Sequence, residues 1–239
     1  MAPSFVQINK GDFTSARGSF SVSLSSGTTS GNFVAVAGSF DRVATSVTVS
    51  NGGDAVTDSG LGTNDNTSVG KSFIVAFLNC VVGRTTFTAT YSGTNPTFGD
   101  LYVWEISGLS NAVFDKKAVA QGSAATGDSG STGTLSSPVE AGIAFGCTSG
   151  QFNSAGAGWT IGQGSTVGTN TGDGITTTTK SIGEHRIISA ATTAINGTGG
   201  LVSGNWTMWV ATFMAGPTPK VFGGFSGIVR RVRMLDYSS

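Results

Sequence analysis

His185 is the residue of this chain best suited to moving protons at neutral pH, and it is the only histidine. A His-dependent nucleophile would have to use it, yet no Gly-x-Ser-x-Gly elbow singles out a serine, and no second imidazole exists for a metal pair. Within Gly183-Glu184-His185-Arg186-Ile187 it reads as a solvated side chain between two charges. Glycoside hydrolysis needs two carboxylates facing one groove. Glu105, Glu140 and Glu184 are widely separated, and no Glu-x-Asp-x-x-Glu cluster occurs. Glu105, in Val103-Trp104-Glu105-Ile106, is the best single candidate, because an acid within an aromatic strand could face a concave sheet. The plainer expectation is an outward side chain on an alternating strand. No catalytic set emerges, and the expectation is a protein that is not an enzyme.

Asp54, Asp58 and Asp65, with Asn51, Asn64 and Asn66, gather the oxygen ligands that calcium prefers. Their spacing is not that of an EF-hand, and Gly, Asp and Asn together are ordinary turn formers, so turn chemistry is expected and no metal or other cofactor. The four tryptophans offer faces on which sugars stack in lectin-like grooves. Trp159 and Trp206, with Glu105, are therefore the candidate carbohydrate-binding residues, core packing being the default for the other tryptophans. Trp206 and Trp209 are three apart, so on one strand they point to opposite faces and at most one is expected to line the core. Cys80 and Cys147 match no zinc or redox spacing, leaving buried free thiols or a cross-sheet disulfide. The sequons at Asn66, Asn196 and Asn205 carry meaning only on an exported chain. Arg230, Arg231 and Arg233, interleaved with Val229 and Val232, form a basic cluster too short and apolar for nucleic acid.

The elements that must position these residues are strands. Short runs rich in β-branched and aromatic residues, bounded by Gly, Ser, Asn and Pro, recur along the chain. They fall at 19–25, 32–37, 45–50, 73–78, 87–91, 101–106, 141–148, 159–161, 182–189 and 206–214. The run at 32–37 is continuously apolar and suits a strand buried on both faces. Ten to twelve strands and no convincing amphipathic helix predict an all-β fold. No repeat of fixed period shows in the sequence. The segment 51–66 is polar and rich in Gly and Asp and reads as a loop, while 122–137 and 162–180 are Gly-rich and read as surface loops or polar edge strands.

Composition sets the surface. Charged residues are 11% of 239 and the formal net charge is zero, so Ser, Thr, Asn and Gly must carry the solvent face. A near-zero charge favours association and gives no case for nucleic-acid binding. No apolar run is long enough to span a bilayer, and the N-terminus lacks the basic and apolar regions of an export signal. After Pro217 and Pro219 the character changes, and residues 217–239 are apolar and basic together. This end is expected to fold back as a final strand or to dock on a neighbouring subunit through Phe222, Phe225, Arg230, Arg231, Arg233 and Tyr237.

Gly31-Asn32, the Asp-rich segment, Thr86-Phe87-Thr88-Ala89-Thr90, Trp104-Glu105-Ile106-Ser107-Gly108-Leu109, Gly158-Trp159-Thr160 and the run from Trp206 to Phe213 follow one another in an order that resembles the concanavalin A-like jelly-roll modules of bacteriophage virion proteins and bacterial surface proteins. The resemblance covers residues 19–215. It implies a two-sheet antiparallel jelly-roll sandwich, placed here over residues 1–216, and a role in attachment or assembly, with the separate apolar and basic end over 217–239 expected as an extended C-terminal arm or final strand. The expectation is a non-enzymatic structural protein of a tailed bacteriophage virion, assembled in the host cytoplasm as a capsid decoration or tail part. Its partners would be other virion proteins and further copies of itself. The alternative is a carbohydrate-binding attachment module with a host glycan as partner.

Overall fold

Strands alternate with Gly- and Ser-rich turns throughout. The computed structural model describes residues 2–66, 69–109, 111–161, 180–189 and 194–216, with the side chains of 57–66, 161 and 180 left aside. The 217–239 arm, with Phe222, Phe225, Arg230, Arg231, Arg233 and Tyr237, lies outside the described residues. The first half contains β1 (Ser4–Phe13), β2 (Ser19–Ser23), β3 (Phe33–Phe40), β4 (Ala44–Ser50), β5 (Thr57–Asn66), β6 (Gly70–Phe77), β7 (Thr86–Gly93) and β8 (Gly99–Ser107). The second contains β9 (Val113–Gly122), β10 (Thr126–Asp128), β11 (Glu140–Thr148), β12 (Phe152–Ala155), β13 (Thr160–Ile161), β14 (Lys180–Ile188), β15 (Thr198–Leu201) and β16 (Trp206–Met214).

All pairing among the described strands is antiparallel, and the two halves have the same strand order. One half forms sheets β1-β8-β3-β6-β5 and β2-β7-β4, the other β9-β16-β11-β14-β13 and β10-β15-β12. In each, the first strand pairs with the eighth, the second with the seventh and the third with the sixth. Even the irregularities coincide. A bulge gives β1 an extra residue between Phe5 and Gln7 opposite β8, and β9 carries one between Phe114 and Lys117 opposite β16. A second bulge lies between Ala44 and Ser46 on β4, and its counterpart lies between Phe152 and Ser154 on β12. The pairs Phe33–Ile106 and Ala141–Phe213 then align the halves residue by residue. Bulges at matching places on the edge strands β1 and β9 also twist those edges away from further pairing.

Three apolar cores separate four stacked layers. Val22, Phe87 and Tyr91 meet Val34, Phe73 and Val103 between the two sheets of the first half. Phe152, Leu201 and Ile195 meet Ala144, Met208 and Val210 in the second. Between the two five-stranded sheets lies the central core, where Phe33, Ile74 and Trp104 face Ile143, Phe145 and Phe213. Phe33 meets Phe213 in a tilted pair at 4.3 Å between ring centroids, and Tyr102 meets Phe145 edge-on at 5.6 Å. Hydrogen bonds cross this core in matching places. Trp209 Nε1 donates to Ser72 Oγ at 2.9 Å, and Tyr102 Oη pairs with Ser181 Oγ at 3.0 Å. By the register, Tyr102 matches Trp209 and Ser72 matches Ser181, so each bond is the image of the other. The halves thus meet as two subunits meet across an isologous interface, joined here in one chain.

The described chain is all-β and antiparallel, as the sequence predicts; where one two-sheet sandwich over 1–216 is expected, its four sheets pack as two eight-stranded β-sandwiches joined on their larger sheets. That arrangement explains Trp206 and Trp209. They do point to opposite faces of β16, but each face of β16 has its own core, so both are buried. It also explains why β3, β8, β11 and β16 read as continuous apolar runs. Part of the polar 51–66 segment is not a loop: its backbone pairs with β6 as β5.

Candidate functional site

The carboxylates that could do chemistry are used as struts. Glu105 is 0% exposed, so it faces neither solvent nor an open groove. One oxygen accepts from Thr29 N at 2.8 Å and Asn32 Nδ2 at 2.6 Å, and the other accepts from Gln7 Nε2 at 2.5 Å. Gln7 Oε1 in turn accepts from Ser25 Oγ, Ser26 N and Ser26 Oγ. The loop entering β3 is thereby tied to β1 and β8. In the second half the same job is done from the other strand. Glu140 stands where Asn32 stands in the first half, Thr212 where Glu105 stands and Ser137 where Thr29 stands. Glu140 Oε1 accepts from Ser137 N at 2.9 Å and Thr212 Oγ1 accepts from Lys116 N at 3.2 Å.

Glu140 is also in hydrogen-bond contact with Asp115 on the β9 bulge. Burial pushes the Glu140 carboxyl up to about 6, the Ser137 amide pulling the other way and the Asp115 charge adding to the rise. Burial also acts to raise Asp115, but two hydrogen bonds from Ser136, one from Glu140 and the Lys116 charge hold it below the usual carboxylate value. Two carboxyls this close divide the roles of acid and base. Both carboxyls hold the loop before β11, Asp115 through Ser136 and Glu140 through Ser137.

Glu184 and His185 occupy opposite faces of β14. Glu184 is fully buried and accepts from Gly156 N at 2.9 Å, and burial raises its carboxyl to about 8. His185 is not solvated: it is 9% exposed and stacks on Phe5 at 4.4 Å, and burial lowers its affinity for a proton. The opposite directions in which adjacent side chains of a strand point keep the acid and the imidazole from acting together.

Trp159 and Trp206 do not form a stacking platform. They are 7% and 6% exposed, and their indole N–H groups donate to Asn196 O and Ala124 O at 2.8 and 3.2 Å. A sugar ring has no access to faces packed in the second half's own core, nor to Glu105 in the first half. Asp54 is a turn residue: its N–H donates to Asn51 Oδ1, its carboxylate accepts from Asn51 and Cys80, and Arg84 lies at 3.5 Å. Asp58 and Asp65 fall on β5, whose side chains lie outside the description. Among the described residues no group of three His, Cys, Asp or Glu side chains is placed to hold a metal. Cys80 and Cys147 are free and buried in different cores, and burial raises both thiols, Cys80 to about 11.

A shallow cleft of about 380 Å³ opens where the halves join, lined by Ser30, Asn32, Asn79, Leu109 and Asn111. It offers amides and a hydroxyl but no acid, imidazole or thiol. Comparison with family models, curated proteins and solved structures finds no match to the chain.

Proposed function

We propose that this chain is a non-enzymatic structural subunit of a bacteriophage virion, decorating the capsid or forming part of the tail. The observation that carries the reading is the pairing of two like sandwiches through a symmetric apolar core. Eight strands nested first with eighth, second with seventh and third with sixth follow the rolling of a jelly roll, an architecture of capsid and lectin domains. Glu105 and Glu140 support the reading as well, since both are buried and each accepts from a loop N–H rather than opening to solvent. A neutral, rigid block of this kind suits repetition on a particle, where net charge would set neighbouring copies against each other.

The test is fractionation. Particles purified by density gradient would contain the chain at a fixed ratio to the major coat protein, and removal of 217–239 would leave it in the soluble fraction. A chain that never sediments with particles would overturn the reading, and normal incorporation of the truncated chain would remove the arm from it.

A further inference from the structure

The outer sheet of the first half has an unusual solvent face. Apart from Gly93 at the end of β7, every exposed position of β2, β4 and β7 is Ser or Thr, while the inward positions supply Val22, Val49, Phe87, Ala89 and Tyr91 to the core. The register arranges them in cross-strand rows, Ser19–Thr90–Thr48 and Ser21–Thr88–Ser50. Neighbouring hydroxyls fix one another, with Ser21 Oγ and Thr88 Oγ1 at 2.8 Å and Ser23 Oγ and Thr86 Oγ1 at 3.0 Å. Rows of this sheet repeat at about 6.7 Å along the strands and about 4.8 Å across them.

The fold does not demand this face. The matching sheet of the second half is shorter, and it mixes Asp128, Asn153 and Gly200 with its hydroxyls. A solvated sheet face ordinarily carries Lys and Glu, and this one carries none.

We infer that the hydroxyl face of β2-β7-β4 is an adhesion surface for a neutral polysaccharide. The inference goes beyond the structural reading and stands or falls separately from it. Absence of charge on the face gives no hold on nucleic acid, anionic lipid or acidic peptide. Absence of exposed apolar side chains there gives none to an apolar protein partner. Three strands and four rows span about 10 by 20 Å between Cα positions, well short of the roughly 800 Å² per partner of a stable protein interface. What remains complementary is a partner that, like Ser and Thr, donates and accepts at every hydroxyl. Each such bond replaces one to water and gains little, so retention depends on many rows engaging together and on many copies presented side by side.

The test uses the intact chain with insoluble cellulose, chitin and β-1,3-glucan. At least one of them should deplete the native chain from solution, and raising NaCl to about 1 M should leave the retained fraction unchanged, since no charge takes part. Thr90→Lys should reduce retention at least tenfold, while Thr126→Lys on the other outer sheet should not change it. Ser21→Lys serves in place of Thr90→Lys if thermal unfolding shows that variant to be misfolded. Failure of all three polysaccharides to retain the native chain, salt-sensitive retention, or equal loss in Thr126→Lys would each overturn the inference. Inhibition of ice recrystallisation by the native chain, lost in Thr90→Lys, would assign the face to ordered water and overturn it too.

Discussion

Removing the Glu105 side chain should destabilise the first half by about 3 kcal/mol, and the arithmetic comes from its three donors. Asn32 Nδ2 is buried and has Glu105 as its partner at 2.6 Å, so Glu105→Ala orphans it at the cost of a bond to a charged group, roughly 1.5–3 kcal/mol. Gln7 Nε2 keeps Ser26 O at 3.2 Å, and Thr29 is exposed enough for water to reach its amide, so each of these losses is partial. For a chain of this length about 3 kcal/mol lowers Tm by about 6–12 °C. Glu105→Gln should cost less, about 1–2 kcal/mol, because one oxygen remains for Thr29 and Asn32 while the new amide confronts Gln7 Nε2. Gln7 cannot turn to accept, since its own oxygen already takes three donors from Ser25 and Ser26. Thermal unfolding followed by circular dichroism measures both variants, and hydrogen exchange at Thr29 reports the loop directly. A Tm change under about 2 °C for Glu105→Ala, or equal damage from Glu105→Gln, would refute the strut reasoning.

The pH dependence has a defined sign. Glu184 takes up a proton on folding between its unfolded value of 4.5 and about 8, as Glu140 does between 4.5 and about 6, so stability falls as pH rises across those windows. Asp115 acts the other way and costs stability only as pH drops through its lowered value. His185 works against the decline at lower pH, since its lowered proton affinity makes stability rise with pH toward its unfolded value of 6.5. Native Tm should therefore decline from about pH 6.5 to 8, and Glu184→Gln should flatten that decline, whereas a flat native profile there would contradict the burial of Glu184. Ser181→Ala leaves Tyr102 Oη without its hydroxyl partner and should cost about 1–2 kcal/mol, read from urea midpoints. Gly183→Ala would bring a Cβ to 2.6 Å from both Tyr102 and Trp104, and overpacking there should cost about 1–3 kcal/mol, where a neutral result would mean the sheets are not in contact. Cys80 and Cys147 should resist a disulfide reagent until the chain unfolds, and fast labelling of either would show its core to be open.

The central strands were legible because a core on each side makes β3, β8, β11 and β16 mostly apolar along their length. The edge strand β1 was not, since one-sided burial and the Lys10-Gly11-Asp12 sequence hide it. Strand β5, built from Gly, Asn and Asp, has the composition of a turn, and pairing with β6 overrides that preference. The repeat is invisible in sequence because matching positions need only matching burial. Tyr102 and Trp209 share a place and a hydrogen-bonding role but not an identity, and Glu105 is answered by Thr212 while Glu140 replaces Asn32. The free state of Cys80 and Cys147 was within reach as one of two readings, and their membership of separate cores decides it. Glu105, Trp159 and Trp206 misled as site residues for one reason. An aromatic or acidic residue signals a groove only if its face is open, and here neighbouring loops and strands cover all three.

The symmetric pairing of the two halves is tested most directly through the four indole N–H signals of the native chain in a ¹⁵N-labelled sample, assigned by replacing each tryptophan with Phe. Ser72 lies in one half and Trp209 in the other, and their hydrogen bond spans the central core. The Trp209 signal should exchange slowly in D₂O, and Ser72→Ala should shift it and speed its exchange while leaving Trp159 and Trp206 unmoved. A Trp209 signal that exchanges at once and ignores Ser72→Ala would show that the two halves do not meet this way.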